Sequence, residues 1–209
     1  MDFAYTYGRE DRIYLNVTNR CTNRCSFCIA RRTGGLGASV LRGGEEPDRE
    51  ALLAAWRRLA RGRPAREAIW CGFGEPTFRL DLILQVSPIL RAEGAAVRLN
   101  TNGHGCLIQG RDILPELGRT VDRVNVSLNA PDEKTYLDLC RPRAEAPAAD
   151  SGPIAPAEFW RATVDFLARA PHHFARVQAS VVAGVLSREQ IEACRRLAAD
   201  LGAHTFRAR

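Results

Sequence analysis

Short strand-like runs alternate with helix-like segments along the chain, and no other feature constrains its fold as strongly. Strands are predicted where apolar and β-branched residues cluster between turn residues. Strands that alternate with helices form a parallel sheet, because each helix returns the chain to the same end of the sheet. The sequence therefore predicts an α/β fold. The six predicted strands are Ile13–Thr18, Ala68–Phe73, Ala96–Thr101, Val124–Asn129, Arg176–Val182 and His204–Arg207.

Two of the segments between these strands show a clear helical pattern. Apolar residues recur there three or four positions apart, as on the buried face of a helix. Ser187 and Gln190 form a capping-box pattern just before the second segment. The apolar positions are Leu52, Leu53, Trp56, Leu59 and Ala60 in the first segment, and Ile191, Cys194, Leu197, Ala198 and Leu201 in the second.

One face of four predicted strands is polar, although a parallel sheet covered by helices is normally apolar on both faces. Side chains alternate along a strand, so each strand divides into a polar and an apolar set. The polar sets are Tyr14, Asn16 and Thr18; Arg98, Asn100 and Asn102; Asn125, Ser127 and Asn129; and Gln178 and Ser180. The apolar sets are Leu15 and Val17; Val97 and Leu99; Val124, Val126 and Leu128; and Val177, Ala179 and Val181.

The polar face indicates an open barrel with a polar ligand in its lumen. Burial of these groups in a dry core would cost about 1–3 kcal/mol for each unsatisfied group. A sheet edge that faces solvent is the alternative explanation. Six strands and a polar lumen predict a partial (β/α)6 barrel in one domain over residues 1–209. The Pro- and Ala-rich segment Arg141–Pro156 is predicted as a loop over the open mouth of this barrel.

Composition favours a cytoplasmic protein. The chain has 209 residues, 45% of them hydrophobic, which suits one core. Its first fifteen residues carry five charges, and no run approaches the roughly 18 apolar residues of a membrane span. Seven cysteines are therefore expected as reduced thiols, ligands or core residues rather than as disulfides.

The net charge of +6 raises the question of a nucleic-acid partner. Twenty-nine of the thirty basic residues are arginines, and Lys134 is the only lysine. The arginines are spread along the sequence without the aromatic interleaving that single-strand binders use. We therefore expect an ordinary basic surface rather than a nucleic-acid interface.

Three cysteines, Cys21, Cys25 and Cys28, lie within eight residues directly after the first predicted strand. A structural zinc needs four ligands and usually two C-x2-C pairs. An iron–sulfur cubane held by three thiolates leaves one iron open to a ligand from outside the protein. The spacing favours such a cluster, with zinc and ordinary core cysteines as the alternatives.

The chain resembles the radical S-adenosylmethionine (SAM) superfamily in four motifs. The motif C-x3-C-x2-C follows the first strand, with Phe27 at the aromatic position before the last cysteine. The segment "CGFGEPT" from Cys71 to Thr77 resembles a Gly-Gly-Glu-Pro motif in which Phe73 replaces one glycine. "LNTNG" (99–103) and "VSLNAPDEKTY" (126–136) resemble the third- and fourth-strand motifs. Within the superfamily, the chain is most similar to the short TatD-associated radical SAM proteins.

This resemblance implies a catalytic site at the carboxyl ends of the strands. Cys21, Cys25 and Cys28 would hold a [4Fe-4S] cluster, whose fourth iron binds SAM. Reductive cleavage of SAM would give a 5′-deoxyadenosyl radical that abstracts hydrogen from a substrate. The implied partners are a small-molecule or peptidic substrate, an electron donor such as flavodoxin or ferredoxin, and a TatD-like hydrolase. The residues implied in cofactor binding are Phe27, Gly72, Phe73, Gly74, Glu75, Asn100, Ser127 and Asn129.

The polar face and the end of the last predicted strand supply candidate substrate residues, and an anionic substrate is favoured because two of them are arginines. They are Asn16, Arg98, Gln178 and Arg207. Cys140 is a candidate catalytic thiol that donates hydrogen to a substrate radical, and a packing role is its alternative. Thr33–Gly37 is expected to be a mobile loop, and His104 and Cys106 are expected to lie in an ordinary loop.

Two other functions remain open at this point. The short six-stranded form is also typical of activases that install a glycyl radical on a partner protein. A metal-stabilised module that binds nucleic acid without catalysis is the second alternative.

Overall fold

A computed structural model describes residues 1–143 and 152–209 of the chain. Its main sheet has seven strands in the order β1-β2-β5-β6-β7-β8-β9, and β3 and β4 form a separate hairpin. Strands β2 to β9 of the main sheet pair in parallel, whereas β1 is antiparallel at the edge. The strands are β1 (Ala4–Tyr7), β2 (Arg9–Asn16), β3 (Gly35–Leu36), β4 (Ser39–Val40), β5 (Glu67–Cys71), β6 (Ala96–Thr101), β7 (Arg123–Ser127), β8 (Arg176–Val181) and β9 (Thr205–Ala208).

Helices occupy every connection between consecutive parallel strands. Asp48 caps the first helix by accepting a hydrogen bond from Ala51 N, and Ser187 with Gln190 forms the predicted capping box of the last. Both predicted helical patterns are confirmed. The helices are α1 (Arg49–Ala60), α2 (Leu80–Ala92), α3 (Gly105–Gln109), α4 (Leu114–Thr120), α5 (Glu133–Cys140), α6 (Pro156–Arg169) and α7 (Arg188–Asp200).

The hydrophobic core lies between the helices and the apolar face of the sheet. Leu15, Val97 and Val126 belong to this core, together with Trp56 from α1 and Phe166 from α6. Across the described residues the seven strands remain an open sheet rather than a closed barrel. The predicted α/β fold with an open parallel sheet is therefore confirmed. The polar face of the sheet lies on the side opposite to this core.

Two short elements differ from the sequence-based expectation. Strand β1 was not predicted, and it pairs with β2 through Ala4 opposite Leu15 and Tyr5 opposite Tyr14. The segment 33–37 was expected to be a mobile loop, but Gly35 pairs with Val40 in the β3–β4 hairpin. Strands of two to four residues are too short to show periodicity, which is why the sequence did not reveal them.

The predicted loop Arg141–Pro156 lies only partly within the described residues. Helix α5 ends at Cys140, and α6 already begins at Pro156. The expectation that this segment covers the barrel mouth rests on residues 144–151, which lie outside the described residues. In the described ranges, the structure contains no helix long and apolar enough to span a membrane.

Candidate functional site

The three cysteines lie on one loop that follows the carboxyl end of β2. The backbone of this loop is fixed to the end of α5 because Arg24 N donates to Cys140 O at 2.9 Å and Ser26 N donates to Leu139 O at 2.8 Å. A further bridge pairs Asn23 with Pro142. The end of a helix thus holds the loop before any cofactor binds.

The cysteine loop opens into a cavity of about 770 Å³. Cys21, Cys25 and Cys28 all line it, together with Phe73 from the turn after β5. The rest of the lining is strongly basic, with Glu46 as its one acidic residue among those described. The basic lining residues are Arg20, Arg24, Arg31, Arg42 and Arg143.

The turn after β5 packs tightly against the segment that leads into the cysteine loop. A Cβ atom on Gly74 would lie 2.5 Å from both Thr18 O and Arg20 O, and one on Gly72 would lie 2.1 Å from Asn16 Oδ1. Gly72 also has a φ of +119°, which side chains disfavour. The resemblance implies that these glycines permit approach to SAM. In the structure, glycine is required at these two positions because two segments of the protein lie in close contact there.

The Glu75 carboxylate is hydrogen-bonded by donors of the protein. Its carboxylate accepts hydrogen bonds from Thr77 N and Oγ1, Thr101 Oγ1 and Asn102 N at 2.7–3.2 Å, and it is 3% exposed. The resemblance implies a role for Glu75 in cofactor binding. These hydrogen bonds show that Glu75 joins the turn after β5 to the end of β6. Burial raises its pKa, which the hydrogen bonds from Asn102, Thr101 and Thr77 oppose.

A buried network around His104 supports the cysteine loop and was missed by sequence reasoning, which expected an ordinary loop there. His104 Nδ1 lies 2.6 Å from Thr22 Oγ1, and Nε2 lies 2.8 Å from the Tyr136 hydroxyl. Asn23 Nδ2 donates to the same hydroxyl at 3.0 Å, and Asn102 Nδ2 donates to Thr22 Oγ1 at 2.9 Å. The side chains after β6 and on α5 thereby orient Thr22 and Asn23 of the cysteine loop.

The surroundings of Cys21 and Cys25 favour the protonated form of their thiols. Burial raises the pKa of Cys21 to about 12. Contact with the Cys140 thiol, and then burial, raises the pKa of Cys25. Because metal ligands must be thiolates, binding of a metal here would release protons and stabilise the charged form.

The cysteine loop fits a cluster better than a single ion. Among the described residues, no three His, Cys, Asp or Glu side chains converge as they would around one metal ion. In a [4Fe-4S] cluster each thiolate binds its own iron, so the three sulfurs need not converge on one point. Asn23 Oδ1, which is buried without a partner, adds an unsatisfied acceptor beside the cysteines. The donor set and the adjoining cavity therefore fit an iron–sulfur cluster.

The remaining predicted cofactor residues lie near the carboxyl ends of strands but do not line this cavity. Asn100 is in β6 with its Oδ1 buried and unpartnered, and Ser127 ends β7. Asn129 has a left-handed φ of 60° and donates its N–H to Ser180 O at 3.3 Å. Phe27 packs partly buried against the main core. Their roles in SAM binding stay predictions.

The four predicted substrate residues do not share one cavity. Arg98 and Gln178 line a second cavity, of about 510 Å³, at the opposite end of the strands. Arg207 is exposed on β9, where it pairs in register with Ser180. Asn16 is fully buried, and its amide is bound to Leu41 O, Asp2 O and Phe73 N. Because backbone groups satisfy Asn16, its contacts are structural and do not support the predicted place in a substrate pocket.

Cys140 is fully buried in the main core at the end of α5. Its thiol contacts that of Cys25 but does not line the cavity of the cysteine loop. The structure thus supports the packing alternative, and a role as hydrogen donor stays a prediction.

Comparison with known proteins identifies the family. Residues 15–149 match the Radical SAM superfamily. A probable GTP 3′,8-cyclase of Methanopyrus kandleri is 40% identical over 142 residues, which are 65% of this chain and 40% of that protein. A GTP 3′,8-cyclase of Erythrobacter litoralis is 32% identical over 160 residues, which are 73% of this chain and 44% of that protein. The chain thus spans less than half the length of both relatives.

Solved structures agree on the fold. TYW1 with a lysine-pyruvate adduct bound is 16% identical with a TM-score of 0.62, covering 96% of this chain and 65% of the other. Streptococcus suis SuiB bound to S-adenosylmethionine is 14% identical with a TM-score of 0.62, covering 92% of this chain and 38% of the other. The chain belongs to the Radical SAM superfamily, whose members are enzymes that use a [4Fe-4S] cluster and S-adenosylmethionine.

Proposed function

We propose that this chain binds a [4Fe-4S] cluster through Cys21, Cys25 and Cys28, and that it uses SAM to abstract hydrogen from a small-molecule or peptidic substrate. The observation that carries this proposal is that all three thiols of one loop line a single cavity of about 770 Å³ beside the strand ends. Ligands of α/β barrels bind at that end of the sheet.

The residues around the loop position these thiols. The backbone bonds from α5 and the His104 network hold the cysteine loop, and Phe73 closes one side of the cavity. When bound, the cluster would supply the electron that cleaves SAM, and this cleavage would give a 5′-deoxyadenosyl radical. The protein itself contributes the ligands, the enclosed space and a basic surround.

Anaerobic reconstitution tests the proposal. We expect the wild-type chain to bind about four irons, as a [4Fe-4S] cluster requires, and to release 5′-deoxyadenosine from SAM when reduced. The triple variant Cys21→Ala, Cys25→Ala, Cys28→Ala should lose both. Cys106→Ala is the matched control, since this half-buried cysteine lies outside the cavity. Unchanged iron content in the triple variant would disprove the proposal.

GTP is a second candidate for the substrate. The observation that favours it is the 40% identity to a probable GTP 3′,8-cyclase over a region of 142 residues. Incubation of the reconstituted protein with GTP, SAM and reductant should then consume GTP and form 5′-deoxyadenosine in proportion. GTP recovered unchanged while SAM is cleaved would exclude this substrate and leave the general proposal intact.

The more specific subfamily, the partners, the domain organisation and the cellular location stay predictions. The relatives found are GTP 3′,8-cyclases rather than TatD-associated proteins, and none of these comparisons supports a TatD-like partner. A flavodoxin or ferredoxin as electron donor remains part of the proposal. So do a single domain over residues 1–209 and a cytoplasmic location. No specific observation favours the glycyl-radical activase or the nucleic-acid-binding module.

A further inference from the structure

Three arginines form a row across the sheet, at the end opposite to the cysteine loop. Arg98 on β6 pairs in register with Arg123 on β7, which pairs with Arg176 on β8. Register partners in a sheet project from the same face and are close neighbours. Like charges in adjacent positions repel each other, so this row is unfavourable unless negative charge lies against it.

Among the described residues, one carboxylate forms ion pairs with this row, whereas the nearby Asp122 pairs with Arg91. Glu67 on β5 lies 2.9 Å from Arg12, 3.7 Å from Arg98 and 3.7 Å from Arg123. No other Asp or Glu within residues 1–143 and 152–209 forms an ion pair with Arg98 or Arg123. Three guanidinium groups thus share one carboxylate, which leaves an excess of positive charge even before Arg176 is considered.

The arginine row borders a cavity of about 510 Å³. All three arginines line it, together with Gln178 and His204, and its lining contains no Asp or Glu from the described residues. The Nε atom of Arg98 is buried and has no hydrogen-bond partner. A buried donor without a partner costs free energy that a ligand with acceptor oxygens would recover.

We propose that the arginine row binds an oxyanion group, a phosphate or a carboxylate, of a small-molecule ligand. This site is separate from the cysteine cavity, so the inference goes beyond the proposed function. The planar guanidinium fork donates two parallel hydrogen bonds to either group, and adjacent arginines can share its oxygens. Glu67 pairs with Arg98 and Arg123, whereas Arg176 is exposed at the outer end of the row.

Thermal unfolding with added anions tests the site on the reconstituted full chain. Sodium pyrophosphate represents the phosphate source and sodium malonate the carboxylate source, with sodium chloride at matched ionic strength as the reference. A ligand that binds the folded state raises the unfolding temperature, and the rise grows with the logarithm of the ligand concentration above its dissociation constant. Equilibrium dialysis with the more effective anion then gives its dissociation constant. Expected results are a raised unfolding temperature for the wild-type chain and binding weakened about 10-fold or more in Arg98→Gln, the loss of a bidentate contact.

Two further variants separate a specific site from general charge. Arg123→Gln, at a half-exposed position, should weaken binding as well, whereas Arg161→Gln on the exposed side of α6 should bind like the wild-type chain. No stabilisation by either anion, or equal binding by Arg98→Gln and wild type, would overturn the inference. An equal loss in Arg161→Gln would also overturn it, because net charge would then be the cause.

The same samples distinguish this inference from the proposed function. Iron content and SAM cleavage of the wild-type chain test the cluster, whereas anion binding tests the arginine row. If the chain binds the anion but no iron, the proposed function is wrong and the oxyanion site stands. If the chain binds the cluster but no anion, the oxyanion site is wrong and the proposed function stands.

Discussion

His104 shows how a single buried side chain orients the cysteine loop. Both ring nitrogens contact hydroxyl groups, at 2.6 Å to Thr22 and 2.8 Å to Tyr136. Burial lowers its pKa to about 3. The ring is therefore neutral at physiological pH, and its role is to position Thr22 and, through Tyr136, Asn23.

This depressed pKa predicts a loss of stability in acid. The unfolded chain binds a proton at His104 near pH 6.5, whereas the folded chain does so only near pH 3. Because the unfolded state binds more protons in this window, stability falls as pH drops below 6.5. At pH 5.5 the loss from this residue is about 1.4 kcal/mol relative to neutral pH. Urea unfolding of wild type and His104→Gln between pH 7.5 and 5 measures it.

The variant supplies the control, since glutamine can bond with hydroxyl groups but does not titrate in this range. His104→Gln should lose less stability than the wild-type chain as the pH falls. Parallel curves for the two proteins would show that His104 is protonated equally in both states, and would contradict the pKa shift.

At the scale of elements, the site depends on how two loops meet. The turn after β5 lies against the segment after β2, with Glu75 N donating to Arg20 O at 2.8 Å. Neither loop could hold this geometry alone, because each supplies the hydrogen-bond partners of the other. Gly74 lies at their closest approach.

Gly74→Ala should therefore disturb the cysteine loop. The added Cβ would lie 2.5 Å from two backbone oxygens, so one loop must move. We expect a loss of stability of about 1–3 kcal/mol, typical of overpacking, together with reduced iron content after reconstitution. Gly184→Ala is the matched control, since a Cβ there would meet no atom within 4 Å. Wild-type iron content in Gly74→Ala would show that the two loops move independently.

At the scale of the whole molecule, the two ends of the strands carry separate basic regions. One surrounds the cysteine cavity, and the other is the arginine row. Positive potential around the first region attracts acidic proteins and speeds their encounter. An acidic one-electron donor such as flavodoxin is thus electrostatically matched to the rim of this cavity.

Salt should slow reduction by such a donor. The screening length falls from about 10 Å at 0.1 M salt to about 3 Å at 1 M, so we expect the initial rate with reduced flavodoxin to fall about 10-fold or more over this range. Stopped-flow bleaching of the cluster measures this rate. Arg42→Gln, on the rim, should lower the rate at low salt, and Arg161→Gln should not. A rate independent of salt would contradict electrostatic docking at this surface.

Local patterns in the sequence determined much of this protein. The alternation of short strands with helices predicted the open parallel sheet, since burial of one face imposes its period on the residues of each element. Ser187 and Gln190 marked the start of α7, because a helix cap is formed by residues three apart. The spacing of Cys21, Cys25 and Cys28 is local for the same reason, since all three lie within one short segment, and it predicts the iron–sulfur loop that we propose.

Tertiary structure alone decided which polar residues are free to bind a ligand. Asn16 and Arg98 belong to the same predicted polar face, yet Asn16 is satisfied by backbone groups as far away as Leu41 and Phe73, while Arg98 keeps an unpartnered donor beside a cavity. Glu75 and His104 likewise have partners 26 to 82 residues away in sequence. Periodicity reports which face of an element a residue occupies, whereas hydrogen-bond satisfaction depends on segments brought together by packing.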